Sequence, residues 1–373
     1  MRTFVIGHNI ISPFGTKSSE TYSALISGKS AIQKLPLGEL SPVETFASRF
    51  PKTILEKTKI ERFTKLESLM IHSIEKVINE SQVDLKSPEF LLVISTTKGN
   101  IDLLQNSEQK KWDNDRAYLS VMANKIGEYF GVSSSPIVIS NACISGGCSI
   151  EYAQDVLKTE RYKNVVVCGG DLLTEFVLSG FRSFHAISET TCAPYDKDRD
   201  GINLGEAVAT IALSSENTSN IELLSACTSN DANHISGPSR TGEGLYVAVQ
   251  NALKLANLKP QKIDYISAHG TATNYNDEME SIAFTRCELT NAPLNSYKGY
   301  FGHTLGAAGI IEAIISCICL EKGQLLKSLG YQQHGVSGEI NVIKDNRPAD
   351  LKYALKTGSG FGGGNNAMIF EKI

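Results

Sequence analysis

PIVISNACISGGCSIEYAQDVL, residues 136–157, changes structural period part-way along its length. Ile137, Val138 and Ile139 form a β-branched run bounded by Pro136 and Ser140, the pattern of a short buried strand. From Ile144 onward the apolar residues Ile144, Cys148, Ala153, Val156 and Leu157 recur at helical spacing. Ser145, Gly146 and Gly147 occupy the first helical turn, and Cys143 stands at the joint. A thiol at a helix N-terminus faces unpaired backbone N–H groups and the positive end of the macrodipole, and both favour the thiolate. The glycines let another chain or a ligand approach closely. A buried cysteine is equally well a small hydrophobe. This stretch alone leaves nucleophile and core thiol both open.

Buried strands and helices alternate on either side of it. A first strand spans 3–11, with a turn and a helix at 19–26 behind it; residues 30–60 read as irregular. Leu66, Met70, Ile74 and Val77 mark a long amphipathic helix, opened by the basic residues Lys57, Lys59, Arg62 and Lys65. FLLVIS at 90–95 and NVVVCGG at 164–170 are buried strands, and 108–129 is polar and then helical. From Asn220 the pattern begins again, with strands at 221–227, 263–268 and 294–298 and a helix at 242–256. Then follow a glycine-rich turn into an apolar helix at 302–320 and closing strands at 353–357 and 367–370. The unit around His303 mirrors the unit around Cys143. The chain therefore reads as two βα halves, 1–215 and 220–373, folded alike and packed as layered α/β with ligands at strand ends.

Composition narrows the function. The 373 residues carry a net charge of −4, with 41% hydrophobic and 20% charged residues, which argues against a general nucleic-acid binder. The eight cysteines form no CxxC pair, which suits free thiols in a reducing cytoplasm. The N-terminus lacks a signal-peptide pattern and no apolar run reaches membrane-spanning length, so a soluble protein is expected. Asp196, Asp198, Asp200 and Gly201 imitate the start of a calcium loop, but position 207, where the closing glutamate belongs, is Ala207.

Three further segments end strands in polar groups. AHGTAT (268–273) puts His269 and two threonines on a loop after a buried strand. SYKGYFGHTLGAAG (296–309) carries Lys298 between aromatics and His303 before a tight GAAG helix contact. A half-buried Lys298 needs a carboxylate, and Asp277 and Glu280, three apart on the helix after His269, are the candidates. GSGFGG (358–363) fits GxGxxG in letters, but too little chain follows for a βαβ unit, so a turn presenting backbone N–H groups to a ligand oxygen is the better reading. No metal-ligand spacing is present, and no metal is expected. A thiol, two imidazoles and backbone donors suit acyl-thioester chemistry.

Together these segments resemble the elongating β-ketoacyl-acyl-carrier-protein synthases of the thiolase superfamily. VIGHNIISPFG, NACISGG, PYDKDRDGINLGE, DANHISGPSRTGEG, HGTATNYNDEME, KGYFGHTLGAAG and GSGFGGGNNA all look like family blocks, in family order. The resemblance implies a duplicated five-layer αβαβα fold and a dimer, of two copies or with a related subunit. It implies Cys143 as the acyl-accepting nucleophile, His269 and His303 as the pair that assists malonyl decarboxylation, and Lys298 as an ordering residue partnered by Glu280. The backbone N–H groups of Cys143 and Phe361 become the oxyanion hole, with Phe361 also a gate. Thr271 and Thr273 are expected to hold the pantetheine arm, Phe181 to line the acyl channel, and Lys57, Lys59, Arg62 and Lys65 to dock an acidic acyl carrier protein. No cofactor is expected in the enzyme itself, since phosphopantetheine arrives on the carrier with the acyl and malonyl thioesters.

Departures concern the substrate. The chain is shorter than most relatives between 96 and 135, GEA at 205–207 replaces the family GEG, and Tyr300 and Phe301 are bulky. These leave room for polyene or polyketide building beside fatty-acid elongation. A non-catalytic partner subunit typically loses the cysteine, which is present here, and no second catalytic cysteine or asparagine replacement points to a thiolase or an initiating synthase.

Overall fold

Buried strands of alternating burial partners decide the architecture. The structure, a computed structural model, describes residues 1–105, 112–216, 218–231, 233 and 237–373. Eleven strands join one hydrogen-bonded sheet. The first five are β1 (Phe4–Ile11), β2 (Phe90–Ser95), β3 (Ile137–Ile139), β4 (Asn164–Asp171) and β5 (Ala207–Ser214). The others are β6 (Ile221–Asn230), β7 (Tyr265–Ser267), β8 (Pro293–Asn295), β9 (Asn341–Val342), β10 (Tyr353–Ser359) and β11 (Gly364–Lys372). Their spatial order is β9-β8-β7-β10-β11-β6-β1-β5-β4-β2-β3.

That order contains the same five-strand motif twice. Setting the edge strand β9 aside, each set runs third, second, fourth, fifth, first. In each, the second strand lies parallel to the third and the fourth, and the fifth is antiparallel to both of its neighbours. The sets meet where Phe4 of β1 faces Glu222 of β6 and the Leu223 N–H donates to the Thr3 carbonyl at 2.8 Å.

Among the described residues ten α-helices cover and separate these sets: α1 (Ser18–Ile26), α2 (Lys52–Thr58), α3 (Lys65–Ser81), α4 (Leu119–Phe130), α5 (Ser145–Lys158), α6 (Glu175–Ser183), α7 (Glu243–Leu255), α8 (Asn274–Arg286), α9 (Lys298–Phe301) and α10 (Ala308–Lys322). Side chains alternate across a strand, and here the alternation assigns the layers. Val165 and Val167 of β4 join α5, α10 and the Ala354, Met368 and Phe370 side chains of the second set in one central core. Val166 and Cys168 point the other way, onto α3. Leu355, Ala367 and Ile369 pack outward with residues of α7 and α8. The result is the five-layer αβαβα stack, with α10 buried from Ala308 to Leu320 at its centre. An apolar sequence on all sides of a helix is what such a position demands.

Local departures from expectation have plain causes. Residues 30–60 contain α2, opened by Pro51 before Lys52, and two short strands, Gln33–Lys34 and Phe46–Ser48. The strand expected at 294–298 stops at Asn295, because the Ser296 hydroxyl accepts the Lys298 N–H at 3.2 Å and the chain turns into α9. Asp196 accepts the N–H groups of Asp198, Gln332 and Gln333, so this carboxylate ties loops together. Glycines 358–363 lie in the hairpin between β10 and β11 rather than before a helix. Parts of the expected 108–129 segment and of the DANHISGPSRTGEG block, residues 108–111, 232 and 234–236, lie outside the described residues.

Candidate active site

Cys143 sits on a sharp turn between β3 and α5. Ala142 takes φ 43°, a left-handed conformation that a non-glycine residue adopts at a cost. The Ser145 hydroxyl holds the turn by accepting the Asn141 N–H at 2.8 Å and donating to the Ala142 carbonyl at 2.6 Å. The glycines behind the thiol bring two helices together: a Cβ on Gly309 of α10 would lie 2.6 Å from the Gly147 nitrogen, and one on Gly146 would lie 2.9 Å from the Ile310 nitrogen. The GAAG contact is therefore present, between the helix that follows Cys143 and the helix that follows His303. The expected fall in thiol pKa is reversed, because Cys143 is only 9% exposed. Burial pushes the thiol up to about 11, against the pull of the Lys298 charge and the Phe361 N–H, which faces the sulfur.

Two histidines converge on this sulfur from the second half. His269 follows β7, and its N–H donates to Glu280 Oε1 at 2.8 Å. His303 follows α9 and is stitched to residues 203–205 by its N–H to the Asn203 carbonyl (2.8 Å) and its carbonyl to the Gly205 N–H (2.9 Å). The rings stand edge to face with centroids 5.1 Å apart. One ligand atom each from Cys143, His269 and His303 lie within 4.8 Å of one another. Neither nitrogen of the buried His303 ring has a hydrogen-bond partner. Burial holds both imidazoles well below the ordinary histidine value, and the charges of Lys298 and Lys356 add to it. Two neutral imidazoles thus face a protonated thiol in a site that offers hydrogen-bond donors to a ligand.

Lys298 is wholly buried, and its partner is Glu312, not Glu280. Its ammonium also donates to the His269 carbonyl at 3.1 Å. Glu280 is committed elsewhere, accepting from the His269 and Gly270 N–H groups, the Tyr195 hydroxyl at 2.9 Å and Asn276. Asp277 likewise accepts the N–H groups of Tyr195 and Thr271, at 2.7 and 2.9 Å. The α8 acids therefore shape the histidine loop, and the central helix supplies the counter-ion. A second buried lysine, Lys356 of β10, reaches the other Glu312 oxygen at 2.8 Å. Sequence reading missed Glu312 and Lys356, although a lone carboxylate in an apolar helix and a lysine inside a buried strand were the available signals.

A cavity of about 460 Å³ opens onto Cys143, His269 and His303. Thr271 and Thr273 line it, their hydroxyls 2.8 Å apart. Phe361 packs between Phe181 (centroids 5.6 Å) and Phe184 (5.2 Å) at the end of α6; Phe184 had no sequence signal beyond its apolar character. Gly362 and Gly363 follow Phe361 with φ 89° and 81°, a backbone that favours glycine. On the other side of the loop after β4, Asp171 accepts the Gly306 N–H at 2.8 Å and the Thr96 hydroxyl at 2.8 Å, bracing the turn beyond His303. Lys57, Lys59, Arg62 and Lys65 are exposed around α2 and the start of α3, with Lys59 paired to Glu61. No helix among the described residues is long and apolar enough to cross a membrane.

Comparison with known proteins agrees with this arrangement. Residues 2–219 match the family model of the beta-ketoacyl synthase N-terminal domain, and residues 221–332 match that of the C-terminal domain. The whole chain aligns with 99% of a putative mitochondrial 3-oxoacyl-[acyl-carrier-protein] synthase of Schizosaccharomyces pombe at 26% identity. It aligns with 99% of the Coxiella burnetii 3-oxoacyl-[acyl-carrier-protein] synthase 2 at 24% identity, over 408 aligned positions. Among solved structures, the ketosynthase ApeO of Xenorhabdus doucetiae, in complex with its chain length factor ApeC, superposes with a TM-score of 0.89. That match has 22% identity and covers all of this chain and 98% of the other. The ishigamide ketosynthase/chain length factor gives 0.90 at 21% identity, covering all of this chain and 99% of that one.

Proposed function

Since the chain belongs to the β-ketoacyl synthase family of acyltransferases, we propose that it condenses an acyl thioester with malonyl-acyl-carrier protein in fatty-acid biosynthesis, forming a 3-oxoacyl thioester and carbon dioxide. The observation that carries this reading is the convergence of the Cys143 sulfur with two buried, neutral imidazoles. The thiol gives up its proton as its sulfur attacks the acyl carbonyl, and the carrier thiol departs protonated. Malonyl thioester then enters. Its carbon–carboxylate bond breaks, carbon dioxide leaves, and the electron pair moves into an enolate whose oxygen accepts N–H bonds from His269 and His303. The enolate carbon attacks the Cys143 thioester. The N–H groups of Cys143 and Phe361 hold the oxyanion until it collapses and expels the Cys143 thiolate, which takes up a proton from solvent.

The two buried ammoniums, Lys298 and Lys356, disfavour a cation among these three residues, so we assign the site no resident metal or cofactor. Thr271 and Thr273 line the path for the pantetheine arm, and the exposed Lys57, Lys59, Arg62 and Lys65 cluster suits an acidic carrier protein. We place the enzyme in the cytoplasm, and take the 1–215 and 220–373 halves as its two structural units.

Intact-mass detection of an acyl adduct on Cys143 tests the reading. Wild-type protein incubated with acyl-loaded carrier gains the acyl mass, and Cys143→Ala gains none and forms no 3-oxoacyl product. Condensation by the Cys143→Ala variant defeats the assignment. Carriers loaded with saturated chains and with conjugated polyenes separate fatty-acid elongation, the reading placed first, from polyene or polyketide extension.

A further inference from the structure

Glu312 is a single carboxylate serving two buried ammoniums. Lys298 of α9 occupies one oxygen and Lys356 of β10 the other, at 2.8 Å. All three side chains are 1% exposed or less. Lys356 points into the central layer because it shares the inward face of β10 with Ala354, which joins the central core. Its ammonium also donates to the Thr357 carbonyl. Glu312, Lys356, Cys143 and His269 line one small void between the central helices and the second set of strands. A second lysine on an already paired carboxylate adds a positive charge that burial disfavours. A purely structural strand position is better filled by an apolar residue, so this charge calls for a role.

We propose that Lys356 is a positioning residue for the condensation: through Glu312 it holds the Lys298 ammonium against the His269 carbonyl and places a second positive charge beneath the two imidazoles. The inference rests on the condensation reading above. Charged and titratable groups face the imidazoles from several elements. Lys298 comes from α9, Glu312 from α10, Lys356 from β10, and Glu280, with Asp277 and the nearby Arg199 behind it, from α8. Cys143 lies ahead of α5, and Lys98 and Asp171 act on it from the first half. Glu280 is already saturated by backbone N–H groups and the Tyr195 hydroxyl. Lys298 and Lys356, with their one shared carboxylate, therefore set the local balance. Among these charges Lys356 acts on both histidines, whereas the charges that act most on the Cys143 thiol are Lys298, Lys98 and Asp171.

That difference separates positioning from mere packing. The readouts are carbon dioxide release from malonyl-loaded carrier protein against pH, and alkylation of Cys143 by iodoacetamide against pH. Removing a positive charge makes imidazole protonation easier. Decarboxylation needs neutral rings, so in Lys356→Met its acidic limb moves up by about one pH unit, and the rate on that limb falls about tenfold. The alkylation profile moves much less, because Lys298, the leading charge on the thiol, is retained. Lys356→Gln, which keeps a donor for Glu312 without the charge, shows the same shift. Lys356→Met combined with Glu312→Gln restores the net charge, and its limb returns toward the wild-type position.

An acidic limb that does not move in Lys356→Gln overturns the proposal, as does an alkylation profile that shifts together with decarboxylation. A double variant whose limb stays with that of the single variant overturns it too. If Lys356→Met does not fold, Lys356→Gln and the double variant carry the test. Wild-type protein that releases no carbon dioxide from malonyl carrier defeats the condensation reading instead, so the two failures are distinct.

Discussion

His303 shows most directly what single residues do here. Its two ring nitrogens are buried and have no protein partner, an arrangement that costs free energy unless a ligand supplies the missing hydrogen bond. His303→Ala therefore should slow carbon dioxide release from malonyl carrier by about 10²–10³-fold, with acyl transfer onto Cys143 reduced far less; single-turnover measurement of the two half-reactions checks this. The pH dependence has a definite sign. Both imidazoles are held well below the ordinary histidine value by burial and the lysines. The rings stay neutral throughout the neutral range, and decarboxylation should decline only on the acid side, below the pH at which a free histidine titrates. A loss of decarboxylation already at pH 6.5 in the wild-type protein would contradict this. Cys143, His269, Lys298 and His303, the residues to which we assign the chemistry, were all legible in the sequence, because each ends a strand or opens a glycine-rich helix. Glu312 was not, because its pairing joins α10 to α9 and to β10, contacts that no local spacing reveals. Glu280 looked the better partner only because it stands near His269 in the chain.

At the scale of elements, the helices α5 and α10 are the structural centre. Their N-terminal glycines let the backbones touch, and this contact sets Cys143 against the turn that follows His303. Gly309→Ala puts a methyl 2.6 Å from the Gly147 nitrogen. It should cost about 1–3 kcal/mol of stability, measured as a lower denaturant midpoint, and should also slow acylation of Cys143 by displacing its turn. Unchanged acylation at reduced stability would mean that the contact serves folding alone. The periodicities of these helices and of the buried strands were readable. The end of β8 at Asn295 was not, since a side-chain hydroxyl rather than the residue pattern stops that strand. Nor was the rise in the Cys143 pKa. The helix N-terminus is visible in the sequence, but the burial that outweighs it is a property of the packed site.

For the whole molecule, two five-strand sets of identical order and direction enclose a shared helical layer, so the active site is assembled from both. The edge strand β3 is only partly buried, whereas β2 beside it is buried throughout. An incompletely covered edge invites pairing with a second chain, which agrees with the dimer that the family resemblance implies. Sedimentation equilibrium should return twice the 40.5 kDa chain mass for protein alone, and a monomer that dimerises only with a related subunit would indicate a heterodimer instead. By itself the sequence determined the repeated alternation of strands and helices, the candidacy of Cys143, His269 and His303, and, through the family blocks they stand in, the class of chemistry we propose. These depend on residue type and short-range spacing, which the chain displays directly. Only the tertiary structure decided that Glu312 and not Glu280 neutralises Lys298, that Lys356 joins them, and that Phe184 completes the wall around Phe361. Those pairings join residues on different elements, and which buried charges meet depends on how the layers stack rather than on how the residues are spaced.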